Sequence, residues 1–303
     1  MRLMNVFTSR WAVGLSLTTS SIAPPLIGYP LANGIARLVA ARRTSRMVMA
    51  VRANQWIVHD ERISAEELDL AVLRVFENVG RGLYDFFHSL NNPGAFRRMV
   101  VFDATYEAAF ERAKRNRRGT IYVAPHMAGF DVIGRAMVLR GTPMQFLTYP
   151  DPPGGYQWQN TLREFPGARI TPMSIDAFRV ASQTLAAGGT VITGVDRPLP
   201  KLESKYRPRF FDRPAIMPVF HIKLALRHDL PITVISGYLR DDGHYDVGAS
   251  EPIPMERRPD PVEATVVNAE KILQVMARDI RKAPDLWGML YPVWPESLAA
   301  MPA

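Results

Sequence analysis

From about residue 100 onward, short apolar runs alternate with amphipathic segments, and this alternation limits the possible folds more than any other feature. Runs rich in β-branched and aromatic residues predict strands, and the stretches between them predict helices. The predicted strands are "TIYVAP", "MQFLTY", "ARITPM", "GTVITGV" and "LPITVISGYL", and the predicted helices are "DVIGRAMVL", "IDAFRVASQTLAAG" and "MPVFHIKLALRH". We therefore expect an α/β fold, a mainly parallel sheet flanked by helices. Ligands of such sheets gather at the carboxyl ends of the strands.

The residues before this alternation read as helices. "SRMVMAVRANQWIV" has helical spacing, and Ser64 followed by Glu67 forms a capping box at the start of a second, longer helix. The predicted organisation is an N-terminal helical, membrane-associated region over residues 1–98 and an α/β core over residues 99–303, built as one continuous unit.

The membrane prediction comes from an uncharged N-terminal segment. Trp11 to Ala36 contains no charged side chain over 26 residues, and arginines precede and follow it. Pro24 and Pro25 would interrupt a single spanning helix, so two short apolar helices that lie on an anionic membrane are predicted. A buried helical pair and a cleaved signal peptide are the alternatives. The predicted location is the cell membrane, peripheral or monotopic on its cytoplasmic face.

Composition excludes several classes of protein. The 303 residues contain no cysteine, so disulfides, thiolate zinc sites and cysteine nucleophiles are excluded. The net charge of +8 favours anionic partners. The chain lacks the Gly-x-Ser-x-Gly elbow of α/β-hydrolases, dinucleotide and P-loop motifs, and any known nucleic-acid module. The histidines lack clustered carboxylates at ligand spacing, so no metal is predicted. No cofactor and no nucleic-acid partner are predicted, because the corresponding motifs are missing from the sequence.

The most informative histidine stands in "VAPHMAGFD", directly after a predicted strand. His126 on the turn and Asp131 in the first turn of the following helix can approach each other if Gly129 relaxes the bend. A carboxylate that holds one ring nitrogen leaves the other free to take a proton from a hydroxyl. The spacing alone is a weak signal, and its position between a strand and a helix strengthens it. A catalytic dyad and a packed, hydrogen-bonded histidine are the two interpretations, and the ordered motifs described next favour the dyad.

These residues resemble the HX4D block of the lysophospholipid acyltransferase superfamily. The wider layout is similar to the branch of the bacterial lipid A lauroyl-type and phosphatidylinositol mannoside acyltransferases. The resemblance includes an "R…N" helix, "NTLREFPGARI" with Arg163 and Arg169, "ASQTLAAGGTVITGVDRP" with Asp196, and "IRKAPDLWGMLYPVWPE" with Trp287 and Trp294.

The resemblance implies acyl transfer from an acyl thioester, acyl-CoA or acyl carrier protein as co-substrate, to a hydroxyl group of a lipid acceptor. His126 would be the general base, and Asp131 would orient it. Arg163 would hold a phosphate or polar headgroup, and Asp196, Arg197 and Arg169 are further candidates for substrate binding. "GVDRPLP" departs from the Pro-Glu-Gly-Thr-Arg block of lysophosphatidate-specific relatives, which favours a glycolipid acceptor by elimination. A catalytically silent lipid-binding membrane protein on the same fold is the alternative.

Three features of the sequence have two open interpretations each. The basic run at residues 111–119 is either a helix end that complements the helix dipole or a patch for anions. The basic loop from Arg197 to Arg213, which includes Lys201, either meets lipid phosphates or is a solvated face. The aromatic residues of "PDPPGGYQW" and "YRPRFF" either line the acyl channel or membrane contact, or pack in the core.

Overall fold

The structure, a computed structural model, describes residues 19–115, 118–150, 154–199 and 205–302. Within these ranges, the helical residues 19–22 and four longer helices precede the first strand, and helices and strands mostly alternate after it. The helices are α1 (Pro25–Ala40), α2 (Arg46–Val58), α3 (Ala65–Ser89), α4 (Pro93–Met99), α5 (Ala104–Arg115), α6 (Phe130–Leu139), α7 (Gly154–Arg163), α8 (Ile175–Ala186), α9 (Phe220–His228) and α10 (Pro261–Lys282). The strands are β1 (Val100–Phe102), β2 (Thr120–Ala124), β3 (Met144–Thr148), β4 (Ala168–Pro172), β5 (Thr190–Gly194), β6 (Arg209–Phe210), β7 (Arg213–Pro214), β8 (Ile232–Leu239) and β9 (Tyr245–Ala249).

Seven of the strands form one mostly parallel sheet in the order β1-β9-β8-β2-β5-β3-β4. Only the β8–β9 pair within this sheet is antiparallel, and β6 and β7 make a separate two-stranded hairpin. The five predicted strands are all present, and β2 and β5 lie side by side at the centre. The prediction of a mainly parallel sheet flanked by helices is therefore confirmed.

Alternate residues of the central strands enter two different cores. Ile121 and Val123 of β2 pack in one core with residues of α8, α9 and α10, whereas Tyr122 packs in the other with residues of α3, α5 and α6. A strand that buries side chains on both faces belongs to the middle layer of a three-layer fold. The sheet is thus covered by helices on both faces.

The N-terminal helices pack beside this core. Ser64 caps α3 in the predicted capping box, because its side chain accepts from the Glu67 amide while the Glu67 carboxylate accepts from the Ser64 amide. Residues 19–22 are helical and α1 begins at Pro25, so the chain breaks at the Pro-Pro pair as expected. The first part of the uncharged segment, with Arg2 and Arg10, lies outside the described residues.

Helix α1 buries one face against α3 and exposes apolar side chains on another. Leu26 is 87% exposed and Leu38 is 69% exposed. Ile27, Leu31 and Ile35 are exposed to lesser degrees. Across the described ranges of the chain, no helix combines the length and hydropathy needed to traverse a bilayer.

Candidate active site

The register of the two central strands brings His126 and Asp196 together. Ala124 at the end of β2 pairs with Gly194 at the end of β5, and each functional residue follows two positions later. The Nδ1 atom of His126 lies 2.5 Å from Oδ1 of Asp196. The backbone amide of His126 donates to Oδ2 of Asp196 at 2.8 Å. Two adjacent parallel strands thus deliver the histidine and its carboxylate to the same edge of the sheet.

Asp196 is fully buried and accepts a third hydrogen bond, from Nε1 of Trp287 at 2.7 Å. Burial raises the pKa of this carboxyl group, but the charge of His126 and the hydrogen bonds from His126 and Trp287 outweigh burial and hold the pKa below its usual range. Asp196 is therefore a carboxylate at neutral pH, and it fixes the ring of His126 through Nδ1.

A segment close to the C-terminus closes the site from the other side. The amide of Ala128 donates to the carbonyl of Leu286 at 2.7 Å, and the amide of Gly288 donates to the carbonyl of His126 at 2.9 Å. Residues 286–288 therefore run along the turn that carries the histidine, in the manner of an added strand. This pairing places the indole of Trp287 on Asp196.

Gly194 gives the imidazole ring the room it occupies. A Cβ atom at this position would lie 2.5 Å from Cε1 of His126. The end of a flexible side chain could move away from such a contact. The imidazole ring cannot, because its hydrogen bond to Asp196 holds it in place. The end of β5 therefore needs a glycine for the histidine ring to lie against it.

The structure does not bring the His126 ring and Asp131 together as the spacing predicted. Asp131 instead forms a two-point ion pair with Arg163, with Nε to Oδ1 at 2.7 Å and Nη2 to Oδ2 at 2.9 Å. The reason is geometric: the sheet register already places Asp196 on Nδ1, while the end of α7 brings Arg163 to the first turn of α6. Asp131 therefore joins two helices and does not hold the histidine.

This ion pair also changes the interpretation of Arg163. The Arg163 and Asp131 side chains are only 10% and 9% exposed. Burial lowers the pKa of the guanidinium, but the charge of Asp131 and the hydrogen bonds of Asp131 and Tyr156 outweigh burial and raise it. A guanidinium whose charge is already neutralised is a poor receptor for a substrate phosphate. Arg169 is exposed on the edge strand β4 and is not among the described residues that line the two cavities below.

Two cavities meet at His126. The inner cavity, of about 150 Å³, runs beside α6 between the sheet and the helices, and its apolar lining includes Phe86, Met137, Phe146, Ile192 and Ile235. The outer cavity, of about 530 Å³, lies between α1, α3 and residues 288–291. Their common boundary consists of His126, Met127, Phe130, Asp131, Tyr156, Arg163 and Arg197. The histidine thus faces an apolar channel on one side and a larger groove on the other.

Residues 1–296 match the family of bacterial lipid A biosynthesis acyltransferases. The chain belongs to this family. It is therefore an acyltransferase of lipid biosynthesis, and the family resemblance noted in the sequence is confirmed. A comparison with curated proteins gave no match.

The acyltransferase uses most of its C-terminal aromatic residues for packing. Phe210 and Phe211 are buried, with their ring centroids 4.7 Å apart. Both rings contact those of Trp287 and Trp294 at centroid distances of 5.6 to 6.0 Å. Packing is thus the correct interpretation for "YRPRFF", whereas Tyr156 of "PDPPGGYQW" lines both cavities. The aromatic cluster supports Trp287, which spacing alone did not single out as a partner of Asp196.

Basic residues away from the cavities are engaged mostly with carboxylates. In the run at 111–119, Arg112 pairs with Glu251 and Arg118 with Asp229. Arg213 of the basic loop pairs with Glu61. Lys201 lies outside the described residues. Among the described basic residues of this loop, only Arg197 lines the cavities.

Proposed function

We propose that the enzyme is an O-acyltransferase that moves a fatty acyl chain from an acyl thioester to a hydroxyl group of a membrane lipid or glycolipid. The observation that carries this proposal is the His126–Asp196 hydrogen bond at the junction of two cavities. The carboxylate of Asp196 is hydrogen-bonded to Nδ1 of His126, and within the described residues Nε2 has no hydrogen-bond partner. A histidine held in this way is suited to act as a general base.

In the proposed reaction, Nε2 of His126 takes the proton of the acceptor hydroxyl as its oxygen attacks the thioester carbonyl. The tetrahedral intermediate then collapses, the carbon–sulfur bond breaks, and the leaving thiolate takes the proton from the imidazolium. The products are an ester and a free thiol. Asp196 stabilises the imidazolium that forms in between, as carboxylates do in serine-hydrolase triads. No nucleophile or cofactor from the enzyme is required.

The two cavities suggest separate sites for the two substrates. The inner cavity has an apolar lining and is suited to the acyl chain, since burial of methylene groups is favourable by about 0.8 kcal/mol each. The outer cavity is open to α1, whose Leu31 and Ile35 both line it and are exposed. A lipid acceptor can therefore approach the histidine from the side of that helix.

We further propose that α1 rests on the cytoplasmic face of the cell membrane. Its exposed leucines and isoleucines would enter the interface, and the exposed Arg42, Arg43 and Arg46 that follow would lie near anionic headgroups. The proposed donor is a fatty acyl thioester of coenzyme A or of acyl carrier protein. The absence of a Pro-Glu-Gly-Thr-Arg block favours a glycolipid acceptor.

The test is a transfer assay with purified full-length protein, radiolabelled acyl-CoA or acyl carrier protein, and a total lipid extract of the source cell. His126→Ala should abolish the labelled lipid product. His244→Ala is the matched control, because His244 is a partly exposed histidine outside both cavities whose backbone amide binds Asp242.

A labelled lipid that disappears with His126→Ala and persists with His244→Ala would support the proposal and identify the acceptor. Equal activity of the two variants would show that His126 is not the base. Folded wild-type protein that transfers label from neither donor would favour a silent lipid-binding role.

A further inference from the structure

Arg197 stands at the mouth of the active site in an unusual setting. It follows Asp196 directly and lines both cavities. Its Cζ atom lies 3.4 Å from the ring centroid of Tyr149 and 3.8 Å from that of Tyr291. Two aromatic rings can approach one carbon this closely only from different sides, so they flank the guanidinium. Tyr149 follows β3 and Tyr291 belongs to the C-terminal segment, so separate parts of the fold hold the arginine.

The charge of Arg197 is unpaired in the described parts of the chain, where neither an ion pair nor a hydrogen bond to it is found. Arg163, on the same cavity boundary, has its charge neutralised by Asp131. Arg197 is only partly buried in the free protein. A substrate that fills the cavities would cover it further, and covering a cation without an anionic partner is costly, so a partner is expected from the substrate. Stacking uses the faces of the guanidinium and leaves the N–H groups at its edge available for a two-point contact.

We propose that Arg197, held between Tyr149 and Tyr291, binds a phosphate group of a substrate at the junction of the two cavities. This inference rests on the proposed function, because it assumes that both substrates meet at His126. Two sources of phosphate are compatible with the site: the phosphopantetheine end of the acyl donor and the headgroup of the lipid acceptor. Burial raises the pKa of Tyr291, so that ring stays neutral and adds no competing charge.

The experiment measures binding to the His126→Ala protein, which cannot turn over. Two matched ligand pairs are used, and each pair differs in phosphate. The donor pair is the acyl thioester of 4′-phosphopantetheine and the thioester of pantetheine with the same acyl chain. The acceptor pair is a short-chain monomeric phosphatidylglycerol and the corresponding diacylglycerol. Isothermal titration gives the Kd of each ligand, with and without Arg197→Gln.

Arg197→Gln should weaken the phosphate-bearing ligand of one pair by at least about tenfold, because a hydrogen bond to a charged group contributes roughly 1.5–3 kcal/mol. The phosphate-free ligand should bind unchanged, which also shows that the variant is folded. The pair that responds identifies the source of the phosphate. Arg197→Lys, which keeps the charge but lacks the planar fork, should give an intermediate loss.

The matched control is Arg179→Gln, since Arg179 is an exposed arginine on α8 that pairs with Asp176. For each pair, the Kd of the phosphate-bearing ligand is divided by the Kd of the phosphate-free ligand. If this ratio is the same for Arg197→Gln as for Arg179→Gln in both pairs, the inference is wrong. That result would leave the role of His126 untouched, because the transfer assay tests that role separately.

Discussion

At the residue scale, the central feature is a buried carboxylate that accepts three hydrogen bonds. Two of them come from His126 and one from Trp287. They fix the ring orientation and determine which nitrogen carries the proton. An amide in place of the carboxylate would preserve the shape of the site. Its NH₂ group, however, would donate a hydrogen bond to Nδ1 of His126, where the carboxylate oxygen accepts one. This difference makes the role of Asp196 directly testable.

Asp196→Asn should lower kcat by on the order of 10²- to 10⁴-fold with little change in KM. The amide NH₂ would donate to Nδ1, so the ring proton would move to Nε2 and block proton uptake. Steady-state kinetics on folded protein measures the effect. Asp131→Asn leaves Nδ1 paired and should cost much less in kcat. Equal losses in the two variants would contradict the assignment of Asp196 as the orienting residue.

The stability contributed by Asp196 should depend on pH. Because its pKa in the folded protein lies below the usual value, the contribution is fully present above about pH 4 and is lost as pH falls through the lower folded pKa. Urea unfolding from pH 7 to pH 2 gives the free energy of unfolding of the wild type and of Asp196→Asn. The difference between the two proteins should become smaller below about pH 4. A difference that stays constant to pH 2 would indicate that the folded protein does not preferentially stabilise the carboxylate.

The sequence singled out His126 but not the carboxylate that holds its ring. His126 stood out because it directly follows a strand of an α/β pattern, where catalytic residues gather. The sequence predicted Asp131 as the partner because it is near His126 along the chain. In the structure the pairing of Ala124 with Gly194 brings Asp196 beside His126 instead. Strand order and register are tertiary properties, and spacing along the chain does not reveal them. Family resemblance pointed to Asp196 but not to its contact.

At the element scale, the Asp131–Arg163 pair ties α6 to α7. Both side chains are nearly buried, and Nη1 of Arg163 also donates to Oδ1 of Asn160 at 3.0 Å. Ion pairs of this kind are costly to break from one side, because the remaining charge stays buried. The pair thus positions two helices that line the active site.

Arg163→Met should lower the free energy of unfolding by about 3–5 kcal/mol, since it leaves the Asp131 carboxylate buried without a partner. Asp131→Leu combined with Arg163→Met should cost clearly less than the two single changes added together. Chemical denaturation of the four proteins gives the coupling energy. Strictly additive losses would mean that the ion pair does not couple the helices.

The exposed face of α1 is a second feature of this scale, and it should govern attachment to membranes. Leu26→Ser with Leu38→Ser should weaken binding to vesicles of phosphatidylethanolamine and phosphatidylglycerol by at least about tenfold, because both side chains lose apolar area available for burial. Vesicle co-sedimentation measures it. Ile175→Ser is the control, as Ile175 is 85% exposed on α8. An equal effect of the control would indicate general hydrophobicity rather than docking through α1.

Elements with strong local signals were predictable, and short or edge elements were not. The capping box at Ser64 located the start of α3, and the five apolar runs located β2, β3, β4, β5 and β8. The three-residue β1 was missed because it carries too little pattern, and β9 was missed because its apolar residues alternate with Asp and Gly. Helix α9 begins at Phe220, later than its apolar pattern suggested, because Pro218 precedes it.

At the scale of the whole molecule, the proposed function assigns the inner cavity to the acyl chain. Ile192 and Gly194 lie on the same face of β5 at alternate positions, so Ile192 is about 7 Å further along the strand from the histidine. Its side chain lines the inner cavity. Bulk at this position therefore controls the depth of the channel that begins at His126.

Ile192→Phe should shift the preference toward shorter acyl chains, and Ile192→Ala toward longer ones. Competition assays with a mixture of acyl-CoA chain lengths measure the shift from the product distribution. Val191→Ala serves as the control, because Val191 points to the opposite face and belongs to the other core. Unchanged chain preference in both Ile192 variants would place the acyl chain elsewhere.

The pairing of residues 286–288 with the histidine turn has a consequence for biosynthesis. Contacts between residues 126 and 287 close a long loop, and chains fold from the N-terminus as they are synthesised. A nascent chain that ends at residue 280 already contains His126 and Asp196 but lacks the indole donor and the backbone pairing that order them. Activity should therefore switch on late in translation, after α1, for which we propose membrane contact, has emerged from the ribosome. The enzyme would reach the membrane before it can consume acyl thioesters.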